Sequence, residues 1–482
     1  MKVLFINTPT RTDSPNAYPP MGCMYLAAYL RQNGHEVKIL DEAKDRRSFQ
    51  EVHKNIAEYQ PGLIAISGII TAYHYVIDLT HAIKETFPGI PIVVGGHITN
   101  DNYERMLEHS ACDFCIIGYG ELKLLALVNH LEGKGSLDIP MLAYCKEGKP
   151  FLNPGELFFK NLDECPFPAY DLIDMDYYTK SNTNFTTVTA EDRELAQYLK
   201  ITGKPAPTKG KFPISGSRGC TDKCLFCIHE LPAYKGFHAH SIDYIIRMIK
   251  HLYDNYDVGI FYIGEDLFLT STKQLQDLVR EMNEKFPDAY YTCSSRADFI
   301  TPERMEILKK SNCFSLCYGY ESGSETILKI LKKRTTPEQN INAYKLIQAS
   351  GISPSVAFMV GIPGETLGTV NETIATIKEA NVSIGGIFYA TPYPGALLFR
   401  QCVEKGMIPD IHQYLLNVSN RDASKMSINM TKYPDFVVRM MYIMVQNAFT
   451  STPRNSVLKR WIIPCAYYMM GKFDFLFRYP ER

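Results

Sequence analysis

Residues 217–227 read Ser-Arg-Gly-Cys-Thr-Asp-Lys-Cys-Leu-Phe-Cys and place three thiols, Cys220, Cys224 and Cys227, within eight residues. This close spacing lets one short loop surround a single metal centre. Soft thiolates at this density select zinc or an iron–sulfur cluster. A structural zinc site takes four protein ligands, and the sequence offers no fourth ligand nearby. The stretch therefore favours a cluster in which three cysteines leave one iron open to a substrate.

The motif resembles the signature of the radical S-adenosylmethionine enzymes, in which an aromatic residue, here Phe226, precedes the last cysteine. The resemblance implies that Cys220, Cys224 and Cys227 hold a catalytic 4Fe-4S cluster. It also implies that S-adenosyl-L-methionine binds the open iron and is cleaved, by an injected electron, to a 5′-deoxyadenosyl radical. A zinc loop, or cysteines that only pack, are the alternative interpretations.

Length and composition narrow the class of protein. The chain has 482 residues, of which 45% are hydrophobic, and a formal net charge of −1. This length predicts two or three domains, and the balanced charge gives no reason to expect nucleic acid as a partner. The 13 cysteines do not form the pattern of a disulfide scaffold, so a cytoplasmic, reducing location is expected. The first apolar run breaks at Thr8, too early for a signal peptide, and no run is long enough for a membrane span.

The first 135 residues alternate short strand-like runs with amphipathic helical runs. Strands are predicted at 3–7, 37–40, 63–67, 91–94 and 114–117, and helices at 21–33 and 71–87. This alternation predicts βαβ units and a parallel sheet. Residues 1–135 are therefore expected to form a doubly wound, Rossmann-like α/β domain.

Ligands of such sheets bind at the carboxyl ends of the strands. Glycines in these loops would let a large flat ligand approach the backbone, and hydroxyl groups would bind its edge. The candidate ligand residues are Ser67, Thr71, Gly95, Gly96 and Thr99.

The same loops resemble the cobalamin-binding domain that precedes the barrel in one group of radical S-adenosylmethionine enzymes. The similar stretches, in order, are Pro-Pro-Met-Gly at 19–22, Gly-His-Glu-Val at 34–37, Gly-Gly-His-Ile-Thr at 95–99 and Gly-Tyr-Gly-Glu at 118–121. The resemblance implies cobalamin as a further cofactor, although some relatives keep the domain without it. The Asp-x-His-x-x-Gly motif that supplies a cobalt ligand in mutases is absent. His74 and His97 are candidates for the neighbourhood of the cofactor, and ordinary surface histidines are the alternative.

Residues 136–212 differ in character from the first domain. A proline-punctuated run at 163–170 is followed by a polar, lysine-bearing stretch at 181–211. This composition predicts a linker and an insertion that forms a loop over the next domain, as a lid or as a mobile surface segment.

From residue 242 the alternation resumes with a longer period. Helices are predicted at 242–253, 273–284, 302–310, 337–349 and 369–380, and strands at 258–263, 290–294, 313–318, 355–360 and 384–390. With one more strand before the cysteine loop, six strand–helix units fit the partial (β/α)6 TIM-type barrel that the resemblance implies for residues 213–395. Such a barrel carries its chemistry at the carboxyl ends of its strands.

Two of those ends resemble cofactor-binding motifs of the family. Gly264, Glu265 and Asp266 would hold the methionine amino group, although the preceding residue is isoleucine where the family has glycine. Glu321 and Ser322 would face the ribose hydroxyls, which suits a carboxylate because its oxygens accept hydrogen bonds from adjacent hydroxyls.

Two further ends complete the set of candidate cofactor residues. Ser295 and Arg296 would reach the methionine carboxylate, which matches the fork of a guanidinium. Gly361 and Gly364 look like the family's adenine-side turn.

Residues 396–482 hold no motif and are expected to be helical. Their aromatic and methionine-rich stretch at 461–470 would be a docked helix or a wall for an apolar substrate.

These features together predict a cobalamin-dependent radical S-adenosylmethionine methyltransferase acting on an unactivated carbon or a phosphinate phosphorus. It would need an external electron donor such as flavodoxin or ferredoxin, and a small-molecule or lipid-like substrate. The alternatives are rearrangement, dehydration, ring contraction or cyclisation, with or without bound cobalamin. A non-catalytic cobalamin or iron–sulfur sensor is the alternative of another class.

Overall fold

The structure, a computed structural model, describes residues 1–12, 18–180, 190–228, 236–264, 267–268 and 270–450. The strands are β1 (Lys2–Asn7), β2 (Glu36–Asp41), β3 (Leu63–Ser67), β4 (Ile92–Gly95), β5 (Phe114–Ile116), β6 (Leu142–Lys146), β7 (Lys149–Leu152), β8 (Gly210–Ile214), β9 (Ser217–Gly219), β10 (Phe237–Ala239), β11 (Val258–Ile263), β12 (Tyr290–Ser295), β13 (Cys313–Glu321), β14 (Ser353–Val360) and β15 (Gly386–Tyr389). The helices are α1 (Met21–Gln32), α2 (Glu42–Asp45), α3 (Phe49–Tyr59), α4 (Tyr73–Thr86), α5 (Tyr103–His109), α6 (Glu121–Leu131), α7 (Met175–Lys180), α8 (Ala190–Thr202), α9 (Ile242–Asn255), α10 (Thr272–Lys285), α11 (Pro302–Leu308), α12 (Glu325–Ile330), α13 (Pro337–Ala349), α14 (Leu367–Glu379), α15 (Leu397–Glu404), α16 (Ile411–Val418) and α17 (Asp435–Ala448).

The chain divides into two compact units. The first contains Met1–Tyr178, the described part of Cys227–Ser241, and Pro392–Asp422. The second contains the described residues of Thr179–Phe226 and Ile242–Thr391, and continues from Ala423. None of the described helices is long and apolar enough to cross a membrane.

The first unit is built on one sheet in the order β2-β1-β3-β4-β5-β6-β7. Strands β1 to β5 are parallel, and their apolar residues are buried, as in a parallel sheet that helices cover on both faces. Helix α3 begins with a capping box in which Ser48 and Glu51 bond each other's backbone. The doubly wound domain predicted for this part of the chain is confirmed.

The predicted linker begins with two strands that extend the first sheet. Strand β6 pairs antiparallel with β5, and β7 pairs antiparallel with β6. The two strands join through Glu147 and Gly148, which both have left-handed backbones with φ of 52° and 77°. Two such residues in a row form the tight turn of a hairpin. The sheet thus passes the boundary drawn at residue 135, because the Glu-Gly turn carries it on by a hairpin rather than by a βαβ unit.

The second unit contains a six-stranded sheet in the order β15-β14-β13-β12-β11-β8. Every pair in it is parallel, and strands that follow one another along the sequence are neighbours. This is the predicted half-barrel of strand–helix units, and the predicted α/β fold class is confirmed. Thr336 and Thr366 cap α13 and α14 with side-chain hydrogen bonds, so α13 starts sharply after the segment that follows α12, and α14 after the loop at the carboxyl end of β14.

Part of the predicted insertion is a helix packed on this sheet. Helix α8 contacts β13 and β14, and Tyr198 joins Ile260, Tyr290 and Phe314 in a buried cluster. The Tyr198 hydroxyl donates to the Ser311 carbonyl at 3.1 Å. For residues 190–202, the expectation of a loop, lid or mobile surface segment is wrong, because this apolar face is buried against the strands.

The end of the described chain is helical but does not form one body. Helices α15 and α16 belong to the first unit, whereas α17 belongs to the second. Helix α17 packs against α14, β14 and β15, and Tyr442 on it stacks on Tyr389 of the edge strand with ring centroids 5.0 Å apart. It thus covers the β15 edge of the half-barrel. The aromatic stretch at 461–470 lies outside the described residues.

Candidate functional site

The cysteine loop follows β9, and Gly219 before the first thiol has a left-handed backbone with φ of 79°. Cys220, Cys224 and Cys227 are all free thiols; the second is buried and the other two are partly exposed. The Asp222 N–H donates to Cys220 Sγ at 3.5 Å. Amide hydrogen bonds to sulfur of this kind help to set the properties of iron–sulfur clusters.

A single metal ion and an iron–sulfur cluster need different arrangements of the thiols that hold them. In the part of the chain that the structure describes, no group of three or more His, Cys, Asp or Glu side chains lies close enough to hold one ion. The thiolates of a 4Fe-4S cluster bind different irons at separate corners of a cube, so they need not converge on one point. Burial raises the pKa of the Cys224 thiol to about 11, so its binding to iron would release a proton.

The carboxylate of Asp222, between the first two cysteines, is buried against two guanidinium groups. Arg334 donates to Oδ1 from Nε at 2.6 Å and also from Nη2. Arg296 donates to Oδ2 from Nη1, and its Nε and Nη2 bind both oxygens of Asp298. Arg296 thus bonds Asp222 of the loop and Asp298, and its predicted contact with the methionine carboxylate stays a prediction. The Ser295 hydroxyl donates to the Arg296 carbonyl at 3.4 Å.

Glu321 ends β13 in an unusual backbone. The register against β14 shifts between Gly319 and Glu321, which marks a bulge at Tyr320. Glu321 has a left-handed φ of 58° and is 7% exposed. Its Oε1 accepts a hydrogen bond from Lys333 Nζ at 2.9 Å. Bulges next to active sites re-aim a side chain, and a strained, buried, non-glycine residue at a strand end points to a functional role.

Ser322 and Gly323 shape this turn. The Ser322 hydroxyl lies 3.0 Å from Thr373 Oγ1 and accepts from the Ser324 N–H at 3.1 Å. A Cβ on Gly323 would lie 2.7 Å from the Thr373 Cα, so no side chain fits there. Ser322 thus anchors the turn to α14, and its predicted place beside the cofactor stays a prediction.

The turn after β14 is organised around a buried carboxylate. Gly361 and Gly364 both have left-handed backbones, with φ of 77° and 80°. The Gly361 N–H donates to Glu365 Oε2 at 2.6 Å. Glu365 is 3% exposed, and burial raises its pKa to about 7. The glycines therefore wrap the backbone around Glu365, and the predicted adenine-side role of the turn stays a prediction.

Two other predicted positions are at least partly exposed. Gly264 is exposed at the end of β11, and a Cβ there would meet only the Tyr262 carbonyl, at 4.0 Å. Phe226 is half-buried in the cysteine loop. The other two predicted methionine-side residues, Glu265 and Asp266, lie outside the described residues.

In the first unit, the hydroxyl groups of the two predicted threonines donate hydrogen bonds to backbone carbonyls. The Thr99 hydroxyl donates to the carbonyl of Ile116 at 2.8 Å, and Thr99 is fully buried. The Thr71 hydroxyl donates to the Thr10 carbonyl. Both hydroxyls thus fix their loops by donating within the protein, their oxygens can still accept hydrogen bonds, and the predicted contacts with the edge of a ligand stay a prediction.

An open surface lies beside them at the carboxyl edge of the sheet. Gly96 and His97 are exposed, Ser67 and Gly95 are half-buried, and Ile69 is 38% exposed. A Cβ on Gly95 would find nothing nearer than 3.9 Å, whereas one on Gly96 would lie 2.5 Å from the Gly68 carbonyl oxygen. Gly95 thus leaves space beside the backbone, and an exposed apolar residue, Ile69, follows the neighbouring strand β3, as a large ligand such as a corrin ring would need.

The second histidine candidate lies on a helix. His74 is mostly exposed on α4, and its Nε2 lies 3.5 Å from Asp78. This position is that of an ordinary surface histidine.

Several residues of these sites were not predicted from the sequence. They are Asp222, Lys333, Arg334 and Glu365 around the half-barrel and Ile69 in the first unit. An acid inside the cysteine motif was visible, but its partner Arg334 lies 112 residues away, and no pattern in the sequence joins the two.

Comparisons with known proteins agree with this arrangement. The family model of the B12 binding domain matches residues 8–128, and that of the Radical SAM superfamily matches residues 214–377. The chain is 28% identical over 414 residues to an uncharacterized methyltransferase of Pyrococcus horikoshii, with 85% of this chain and 84% of the relative covered. It is 24% identical over 426 residues to the anaerobic magnesium-protoporphyrin IX monomethyl ester cyclase of Rubrivivax gelatinosus, with 86% and 72% covered.

A solved structure has the same fold. The cobalamin-dependent S-adenosylmethionine radical enzyme OxsB, with aqua-cobalamin and S-adenosylmethionine bound, superposes with a TM-score of 0.65 at 19% identity. The match covers 85% of this chain and 56% of that one, so the chain spans little more than half the length of OxsB.

Proposed function

The chain belongs to the radical S-adenosylmethionine superfamily, in the group with a B12 binding domain ahead of the barrel, and we propose that it is a cobalamin-dependent methyltransferase. The acceptor in this proposal is an unactivated carbon or a phosphinate phosphorus. The observation that best supports a cobalamin-dependent methyltransferase is that one chain contains a domain for each cofactor. The relative from Pyrococcus horikoshii, named as a methyltransferase and matched along 84% of its length, supports methyl transfer.

In this proposal, Cys220, Cys224 and Cys227 hold a 4Fe-4S cluster. With S-adenosylmethionine bound, the cluster supplies one-electron cleavage of the sulfonium and so a radical able to abstract hydrogen. Glu321 receives the ribose hydroxyls, because its buried carboxylate can accept further hydrogen bonds beyond the one from Lys333. The reducing electron comes from an external protein donor of the flavodoxin or ferredoxin kind.

Cobalamin would lie on the carboxyl edge of the first sheet. Cobalamin bound there would supply a methyl group that is activated for transfer. Gly95 and Gly96 let the ring approach the backbone, and Ile69 offers an apolar contact at the edge. His97 borders the same surface.

We propose that the substrate binds on the inner face of the half-barrel. Tyr318 donates its hydroxyl to the carbonyl of Asn340 on α13, so its neighbour Cys317 faces the other side of the sheet. Cys317 is exposed although β13 is a central strand. It lies between Ser294 and Ser355 in register. A floor of small hydroxyl and thiol groups favours a compact substrate that forms hydrogen bonds over a lipid.

The test uses S-adenosylmethionine labelled in its methyl group, with the reduced, cobalamin-loaded protein and extracts of candidate acceptors. Methyl transfer by this route consumes one S-adenosylmethionine for the radical and another for the methyl group. Labelled product, with 5′-deoxyadenosine and S-adenosylhomocysteine formed in equal amounts, is the expected result. Formation of 5′-deoxyadenosine alone would contradict methyl transfer.

A second candidate is a ring-forming or rearranging reaction that starts from the same radical. The match to the Rubrivivax cyclase, which covers 86% of this chain, favours it. This reaction would form 5′-deoxyadenosine without S-adenosylhomocysteine, so the same experiment separates the two candidates.

A further inference from the structure

The cysteine loop is attached to one short segment that follows α12, residues 331–334. The Leu225 N–H, between the second and third cysteines, donates to the Leu331 carbonyl at 2.9 Å. Arg334 donates to the Thr221 carbonyl at 3.3 Å and to the Asp222 carboxylate. The 331–334 segment therefore contacts the loop on both sides of Cys224.

Charge strengthens this attachment. The Asp222 side chain is only 3% exposed, while the side chain of Arg334 is 64% exposed. Removing water from an ionised carboxylate is costly unless charged donors replace it, and two guanidinium groups do so here. Arg296 is shared between two carboxylates, Asp222 and Asp298, whereas both side-chain contacts of Arg334 described above are to the cysteine loop, at Asp222 and at the Thr221 carbonyl.

The same segment reaches the carboxylate of Glu321. Lys333, next to Arg334, forms a buried pair with Glu321, the two side chains being 9% and 10% exposed. The space around the pair is reserved for it, since a Cβ on Gly319 would lie 2.7 Å from Lys333 Nζ and clash with the Glu321 carboxylate. One dipeptide thus holds the cysteine loop with one side chain and Glu321 with the other.

We propose that Lys333 and Arg334 form an electrostatic clamp: Arg334 holds the cysteine loop in its cluster-binding conformation, and Lys333 orients Glu321 toward the ribose of S-adenosylmethionine. Both are positioning residues. The proposal rests on the proposed function, since it takes the loop as the cluster site and Glu321 as the ribose ligand. It assigns separate tasks to two adjacent cations, so their removal has separate effects.

The test compares Arg334→Met and Lys333→Met with Lys329→Met as the matched control. Lys329 lies on α12 and is 74% exposed, paired with Glu325. Two properties of the reconstituted protein are measured: the rate at which a chelator removes iron, and the affinity for S-adenosylmethionine, read from the change that it makes in the electron paramagnetic resonance spectrum of the reduced cluster. Circular dichroism checks folding. Lys333→Arg, which keeps the positive charge, tests whether that charge restores the affinity.

The expected result is a split between the two variants. Arg334→Met loses iron several-fold faster, while Lys333→Met keeps its iron but binds S-adenosylmethionine about 10- to 100-fold more weakly, as expected for a lost charge-assisted hydrogen bond. Lys333→Arg recovers part of the affinity, and Lys329→Met behaves like the wild type.

Other patterns overturn the clamp. If both variants match the control, or if each loses iron and affinity together, the two cations do not have separate positioning roles. If Lys333→Met fails to fold, Lys333→Arg, which keeps the buried charge pair but changes its geometry, takes its place, and wild-type affinity in it refutes an orienting role of Lys333. A wild-type protein that takes up no cluster overturns the proposed function itself, and the clamp with it.

Discussion

Replacing Glu365 by glutamine is expected to remove a pH-dependent loss of stability in the half-barrel. Glu365 is buried, accepts the Gly361 N–H at 2.6 Å, and has its pKa raised by burial from 4.5 to about 7. A difference of roughly 2.5 in pKa corresponds to about 3 kcal/mol. Glutamine has the same shape and keeps one acceptor oxygen for the Gly361 and Ile362 N–H groups, which both bond the carboxyl group, so it removes the charge without emptying the site.

Whether stability rises or falls with pH depends on whether the folded or the unfolded chain loses the proton of Glu365 first. Below about pH 4.5 the carboxyl group is protonated in both the folded and the unfolded chain, so its titration does not change the free energy of unfolding. Between about pH 4.5 and 7 the unfolded chain ionises while the folded chain stays protonated, so the folded state loses stability as the pH rises. Above about pH 7 both states are ionised, and the full penalty of about 3 kcal/mol remains.

The assay is urea unfolding of the cluster-free, reduced protein at several values between pH 5 and 8, followed by circular dichroism. The difference in unfolding free energy between Glu365→Gln and the wild type isolates this group from other buried carboxylates such as Asp41, whose pKa burial also raises. The difference should grow toward about 3 kcal/mol in favour of the variant as the pH reaches 8. Glu372→Gln, at an exposed position on α14, controls for the amide itself. A free-energy difference that does not change with pH, or a variant less stable than the wild type at pH 8, would contradict this role of Glu365.

Three further predictions follow from single contacts. Changing Cys220, Cys224 or Cys227 to alanine should abolish 5′-deoxyadenosine formation from S-adenosylmethionine, with the exposed Cys145→Ala as control; activity retained in any of the three contradicts the cluster assignment. Gly96→Ala should destabilise the first unit by about 2 kcal/mol or more, because Gly96 has a φ of 89° and a Cβ there would meet the Gly68 carbonyl. The control Gly22→Ala, whose Cβ has nothing within 4 Å, should not destabilise it, and equal denaturation midpoints of the two variants would contradict the prediction. Tyr198→Phe should cost about 1–2 kcal/mol of unfolding free energy, since its hydroxyl donates to the Ser311 carbonyl and accepts from Lys204; an unchanged midpoint would mean that α8 does not depend on this contact.

Most of the regular structure followed from periodicity along the chain. The strand predicted at 63–67 and the helix predicted at 337–349 have the observed bounds, because apolar runs bounded by Gly, Pro or capping residues are local signals. The hairpin of β6 and β7 was missed, since its turn sequence, Glu-Gly, is weaker than the favoured Asn-Gly. Helix α8 was missed because the polar stretches on both sides hid its apolar face.

The candidate site was predictable in its motifs but not in its contacts. The sequence identified Glu321 and the cysteine loop, each by a local pattern. It did not predict that a bulge gives Glu321 its left-handed backbone, or that Arg296 would bind Asp222 and Asp298. Such contacts depend on how distant strand ends meet, and no local period encodes them.

The most direct test of the account is the metal content of protein purified without oxygen. The cluster is reconstituted, hydroxocobalamin is added, and the protein is desalted before iron and cobalt are measured alongside the ultraviolet–visible spectrum. We expect about four iron atoms per chain and near-stoichiometric cobalt, with both absorptions in one spectrum. Iron without retained cobalt would contradict methyl transfer through cobalamin, and the absence of both would contradict the assignment of the site.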